Sequence, residues 1–194
     1  MRDAPTVAEM SSVLVVFAHP SLEKSRLNRA WIEQARTVPG VGFIDLYAEY
    51  PDFDVDVARE QERLEAHDVI VLQHPMYWYS VPALLKQWFD LVLTYGWAYG
   101  SGKRALRGKR LLSAVSMGGK EEAYTHDGHH GATVNELLLP IKKTAQLCEL
   151  ECLPPFLGYG ALSLSKPEVQ RSAQAYRKAL AALVQADPSE KVTL

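Results

Sequence analysis

From Val13 onward, short unbroken apolar runs alternate with longer stretches in which apolar residues recur every three or four positions. The first pattern predicts strands and the second amphipathic helices. Strands are expected over 13–18, 42–46, 69–73, 110–116 and 149–153, and the first, third and fourth are apolar at every facing, as strands covered on both sides are. Helices are expected over 26–37, 57–66, 82–92, 133–147 and 167–184. The third of these places Leu84, Leu85, Trp88, Leu91 and Val92 at helical spacing.

Strand and helix alternate without internal repeats or low-complexity tracts, and 194 residues with 47% hydrophobic content suffice for one well-buried core. The pattern predicts a single α/β domain, a flavodoxin-like three-layer sandwich with a five-stranded parallel sheet in the order 2-1-3-4-5. Residues 1–12 are expected to be a frayed extension, 13–186 the domain and 187–194 a tail. In that order the topological switch falls between the first and third strands. The loops after Ala18, Gln73 and Ser116 then face one crevice at the carboxyl ends of the strands.

Candidate chemistry gathers in those loops. The third strand empties into His74-Pro75-Met76-Tyr77-Trp78-Tyr79-Ser80-Val81-Pro82. Three adjacent aromatics there suit a planar aromatic guest better than a sugar or an ion, and a flavin is the guest inferred. After the first strand, Ser25 is a good N-cap for the next helix. With Arg26 and Asn28 it reads either as plain capping or as a site for a terminal phosphate. His19 reads as a structural residue or a ligand contact. Ser116-Met117-Gly118-Gly119 ends the fourth strand with two glycines that let backbone approach a flat heterocycle. The glycine-rich dinucleotide fingerprint is absent.

Three of the chain's 6 histidines fall in Tyr124-Thr125-His126-Asp127-Gly128-His129-His130-Gly131. Their spacing matches no common zinc template, so no metal is expected. A proton-handling role near a flavin and a solvated polar loop remain the two readings. The segment from Tyr95 to Gly102 is a cap over the site, a subunit contact or a segment packed onto the body of its own chain. The net charge of −2 provides no basic stripe for nucleic acid. No apolar run reaches the roughly 20 residues that span a bilayer, and Cys148 and Cys152 are expected to be buried, reduced thiols. A cytoplasmic protein is expected.

Taken together and in order, these segments resemble the NAD(P)H:quinone oxidoreductases of the DT-diaphorase type. The resemblance rests on Ala18-His19-Pro20 with Ser25 to Asn28, Pro75 to Tyr79 with Pro82, Gly96-Trp97-Ala98-Tyr99-Gly100, and Gly118-Gly119 followed by Tyr124 and His130. Leu46-Tyr47 with Tyr50-Pro51-Asp52-Phe53, Gln73-His74-Pro75-Met76 and Leu153-Pro154-Pro155-Phe156 are similar to the small bacterial branch that serves glutathione-regulated potassium efflux systems as ancillary oxidoreductases. The resemblance implies that His19, Ser25, Arg26, Leu27 and Asn28 hold the flavin phosphate. It implies that Met76, Tyr77, Trp78, Tyr79, Ser116, Met117, Gly118 and Gly119 surround the ring. Tyr124 and His130 fall where the family's catalytic pair stands, and Tyr77 occupies a place where relatives often have Gln. The chain stops soon after its last helix, as FMN-binding relatives do, whereas larger relatives carry FAD. The implied activity is two-electron transfer from NAD(P)H through flavin to a quinone. The implied partners are a second copy in a homodimer and a potassium efflux transporter at the inner membrane.

Overall fold

The computed structural model describes residues 10–186, and the expected tail over 187–194 and residues 1–9 of the expected extension lie outside them. In chain order the elements are β1 (Val13–Phe17), α1 (Arg26–Ala35), β2 (Val41–Asp45), α2 (Leu46–Glu49), α3 (Val57–Glu65), β3 (Val69–Pro75), α4 (Ala83–Val92), β4 (Arg110–Ser116), α5 (Val134–Leu137), α6 (Leu139–Leu147), β5 (Glu151–Cys152), β6 (Phe156–Gly158) and α7 (Lys166–Gln185). All strand pairs are parallel, in the order β2-β1-β3-β4-β5, with β6 also paired to β4.

The period of two along each strand sorts the core into two halves. Val13, Val15, Val69, Val71, Leu112 and Ala114 pack under α1 and α7 with Trp31, Tyr176 and Leu180. Leu14, Val16, Ile70, Leu72 and Val115 pack on the other face against Leu64, Leu84, Trp88 and Ile141. β1, β3 and β4 are buried at every residue, as their continuous apolar runs predict.

The fifth strand differs from its expected range of 149–153. Arg110 faces Glu151, but Ala114 faces Phe156, so the edge carries one extra residue between β5 and β6. Pro154 and Pro155 sit at that break, and neither has an N–H to give the ladder. The helix expected over 133–147 is likewise divided, because Pro140 enters the first turn of α6 and offers no N–H to the turn before it. β2 stops at Asp45, whose carboxylate accepts from the backbone of Tyr47 and Ala48 and starts α2.

The fraying expected through Ser12 also ends earlier. Ser11 donates its backbone N–H to Val184 and its hydroxyl to Ala186, while Ser12 donates its N–H to the Asp68 carboxylate at 2.8 Å. Of the two thiols expected to be buried, Cys148 is buried and Cys152 is exposed on the short edge strand β5, where no strand lies beyond it. Both are free. Among the described residues no helix is long and apolar enough to cross a membrane.

Candidate active site

The loops after β1, β3 and β4 open together at the carboxyl edge of the sheet around a cavity of about 470 Å³. His19, Ser25, Arg26, Met76, Tyr77, Ser116, Met117 and Gly118 line it, and Ala161 and Leu162 close its far wall. None of the lining residues is acidic.

At one end the hydrogen bonds fix the direction of every polar group. Ser25 caps α1, and its Oγ accepts from the Asn28 backbone N–H and, at 3.0 Å, from Asn28 Nδ2. Asn28 Nδ2 also donates to Ser116 Oγ at 2.8 Å. Both hydroxyl oxygens are thus used as acceptors from the buried side, and both hydroxyl protons remain for the cavity. His19 Nδ1 accepts from the Ser21 backbone at 3.1 Å, which places the neutral ring's proton on Nε2. Burial, opposed by Glu23, holds the His19 pKa below its usual value, so the ring offers that N–H as a neutral donor. The free amides at the start of α1 and the Arg26 guanidinium stand beside these donors. The constellation suits an anion. Arg26 also donates to the Leu164 carbonyl at 2.8 Å, which ties the wall at Leu162 to α1.

Two residues of the expected phosphate segment do not reach the cavity with their side chains. Leu27 is wholly buried in the core beneath α1, and Asn28 is wholly buried behind the two serines. Of the two readings open from sequence, plain capping and a phosphate site, the second puts the Asn28 amide on the anion directly. In the structure the amide is instead spent on holding Ser25 and Ser116.

The aromatic loop is a tight turn. Tyr77 and Ser80 exchange both backbone hydrogen bonds, at 3.1 and 2.9 Å, and Trp78 and Tyr79 between them have φ of 49° and 61°. Two successive left-handed residues define a primed hairpin turn, which normally selects Asn-Gly. This geometry sends the three rings apart. Tyr77 turns into the cavity, with its edge toward the His19 ring at 6.0 Å. Tyr79 turns to His130, its hydroxyl 3.4 Å from Nδ1, and Trp78 is 93% exposed. The Met76 N–H donates to the Ser116 carbonyl at 2.8 Å and so extends the β3–β4 pairing into the site.

Tyr124 and His130 meet over Gly119. A Cβ there would lie 3.0 Å from Tyr124 Cε2 and 3.2 Å from His130 Nε2. Burial raises the Tyr124 pKa against a hydrogen bond from the Gly119 backbone, with a smaller push from Tyr79, so the phenol keeps its proton. His126 lies away from the pair, 3.7 Å from the Glu136 carboxylate. The segment from Tyr95 to Gly102 packs on its own chain, with Trp97 Nε1 donating to Glu65 at 2.7 Å and Ala98 buried.

A family model described as flavodoxin-like fold matches residues 11–183. The uncharacterized NAD(P)H oxidoreductase YrkL of Bacillus subtilis (strain 168) is 48% identical over 161 residues, which cover 83% of this chain and 92% of that protein. The glutathione-regulated potassium-efflux system ancillary protein KefF of Salmonella newport (strain SL254) is 46% identical over 170 residues, 88% of this chain and 96% of the relative. General stress protein 14 of Treponema denticola, solved in complex with FMN, is 42% identical with a TM-score of 0.85, covering 89% of this chain and 99% of the other.

The chain belongs to the flavodoxin-like NAD(P)H oxidoreductase family.

Sequence reasoning misses Ser21, Lys24, Ala161 and Leu162 of the cavity lining in this flavodoxin-like oxidoreductase, and behind the lining it misses Gln73. It donates from Nε2 to Asn28 Oδ1 at 3.4 Å and so joins the third strand to the serine network. Its signal is a single polar residue closing the apolar run Val69-Ile70-Val71-Leu72. A strand buried on both faces leaves no water for that amide, so its polarity alone calls for a partner.

Proposed function

We propose that the chain is an FMN-dependent NAD(P)H:quinone oxidoreductase. The observation that carries this reading is the pair of hydroxyls on Ser25 and Ser116, whose acceptor capacity is taken up from behind and whose protons have only the cavity to meet. A terminal phosphate is the group such a donor set fits, together with the α1 N-terminus, Arg26 and His19 Nε2–H. The Leu27 contribution is its backbone N–H. A flavin adenine dinucleotide would carry its phosphates onward from this end, where Arg26 and Leu162 form a wall tied through Leu164; FMN is therefore the better fit.

When bound, the flavin accepts a hydride from NAD(P)H and passes two electrons to the quinone. With the Met76 N–H engaged by Ser116 and both backbone groups of Tyr77 by Ser80, the Met76 carbonyl on one loop and the Gly118 backbone on the other are what these loops offer to the rim of its ring, and Tyr77 and Met117 exclude water from one face. Tyr124 and His130 hold donors over Gly119, where negative charge on a reduced acceptor is to be met. Tyr79 fixes the His130 ring from the side. The exposed Trp78, with Tyr79 and Tyr95, is the surface on which a second copy would complete the site in a homodimer.

The test begins with colour. The purified protein is expected to be yellow, to release FMN identified by mass, and to oxidise NADPH with menadione without a partner protein. A colourless protein that takes up no flavin on reconstitution overturns the reading.

A second reading is supported by similarity to KefF along 88% of the chain. The protein would act in the cytoplasm as ancillary subunit of a potassium efflux transporter at the inner membrane. Co-purification with such a transporter, and efflux that responds to a flavin-free variant, support it. Efflux that persists while quinone turnover is abolished separates the regulatory role from the enzymatic one.

A further inference from the structure

β3 is buried at every residue, yet one of those residues is the primary amide of Gln73, with no accessible surface. A buried amide is costly unless its groups are bonded. Gln73 Nε2 donates to Asn28 Oδ1, and Gln73 Oε1 has no partner among the described residues. Turning the amide over would strand N–H donors in place of one carbonyl oxygen, and an orphaned acceptor is the better tolerated of the two. The observed direction is therefore the favoured one.

That direction sets a relay. With its oxygen engaged by Gln73, Asn28 faces the two serines with Nδ2, at 3.0 Å from Ser25 Oγ and 2.8 Å from Ser116 Oγ. The serines accept from behind and must donate forward.

We infer that Gln73 is a positioning residue that sets the polarity of this relay and thereby makes the cavity select a phosphate-bearing flavin over a phosphate-free one. The inference rests on the phosphate site proposed above. A protonated carboxyl at position 73 donates to Asn28 Oδ1 and keeps the present direction, whereas an ionised carboxylate, which can only accept, turns the Asn28 amide over. The Asn28 oxygen then takes both serine protons, and the cavity presents lone pairs where it presented donors. A phosphate dianion is repelled there, while the ring end of the site is untouched. Gln73 needs no contact with the ligand to do this.

The test compares FMN with riboflavin, which lacks the phosphate, by fluorescence titration of the full-length chain stripped of flavin. Wild type is expected to prefer FMN. Gln73→Glu lowers the FMN-to-riboflavin affinity ratio by about tenfold or more as the pH is raised and the buried carboxyl ionises, with riboflavin binding little changed and the unfolding midpoint lowered. The same change in an Asn28→Leu background has no effect on the ratio, because the relay is already gone. An effect that persists in that background is a through-space charge effect and overturns the inference. Equal loss of both ligands shows a merely structural role and also overturns it. Where the Gln73→Glu variant does not fold, the unmutated protein decides: nuclear Overhauser contacts from the Asn28 side-chain N–H protons run to the Ser25 and Ser116 methylenes, and contacts to the Gln73 methylenes instead sink the proposal. A wild type that binds both flavins equally removes the phosphate site itself, whereas a wild type that prefers FMN with a variant that still does removes only the role of Gln73.

Discussion

Tyr124 and His130 stack almost face to face, their ring centroids 4.4 Å apart and their planes 29° apart, above the Cα of Gly119. The backbone of Gly119 is not left-handed, so an alanine adopts it without strain and only the two rings must yield. Gly119→Ala is expected to leave the fold and bound flavin in place while shifting both rings by a few tenths of an ångström. Small misplacements of groups at a reacting edge are expensive, and turnover of NADPH with menadione should fall about tenfold. Steady-state kinetics beside a thermal melt check this. Unchanged kcat with an unchanged melt would remove the pair from the chemistry.

Trp78 and Tyr79 hold the left-handed conformation in a turn whose two central positions ordinarily favour Asn and Gly. Each non-glycine residue there costs about 1 kcal/mol. Trp78 is 93% exposed, so burial within its own chain does not offset that cost. Local strain without local compensation points to use by a ligand or a second copy. Trp78→Gly is expected to raise the free energy of unfolding by about 1 kcal/mol in denaturant titrations. The same variant should raise the KM for quinone by about threefold or more, through loss of an aromatic contact. A variant that gains stability and keeps its KM would make the turn an accident of packing.

What is legible in the sequence is whatever depends on one element at a time. Val13 to Phe17 and Val69 to Leu72 announce buried strands through composition alone, and the order of strands follows once helices are seen between them. The split of the edge strand is half visible in Pro154-Pro155, but the one-residue slip belongs to the pairing with β4, which no local pattern records. α2 holds only Leu46–Glu49, too short to show a period. In the site, the sequence brings Ser25, Met76 and Ser116 to one edge because all three lie at or just beyond the ends of strands. Directions are another matter. The divergence of Tyr77, Trp78 and Tyr79 follows from a left-handed turn that their identities argue against, and the retreat of Leu27 and Asn28 behind the cavity follows from the rotation of α1 on the sheet.

His74 follows Gln73 on β3 and faces the other half of the core. It is wholly buried, with Nδ1 donating to the Pro75 carbonyl at 3.0 Å and Nε2 without a partner among the described residues. Burial drives its pKa down to about 4, only partly opposed by the Pro75 carbonyl. The folded protein thus refuses a proton that the unfolded chain accepts near pH 6.5. Stability contributed by the neutral ring is complete above that value and declines as the pH falls toward 4, by up to ~1.4 kcal/mol per pH unit. His74→Asn retains an N–H that can donate to Pro75 and does not titrate. Unfolding free energies of the two proteins, measured by denaturant at a series of pH values, should therefore differ by a constant above pH ~7 and shift in favour of the variant below pH ~6. Carboxylates titrate alike in both and cancel in the difference. Curves that remain parallel down to pH ~4 would mean that the ring gains a partner or water on protonation, and that the unpaired Nε2 is not the acid-sensitive point of this fold.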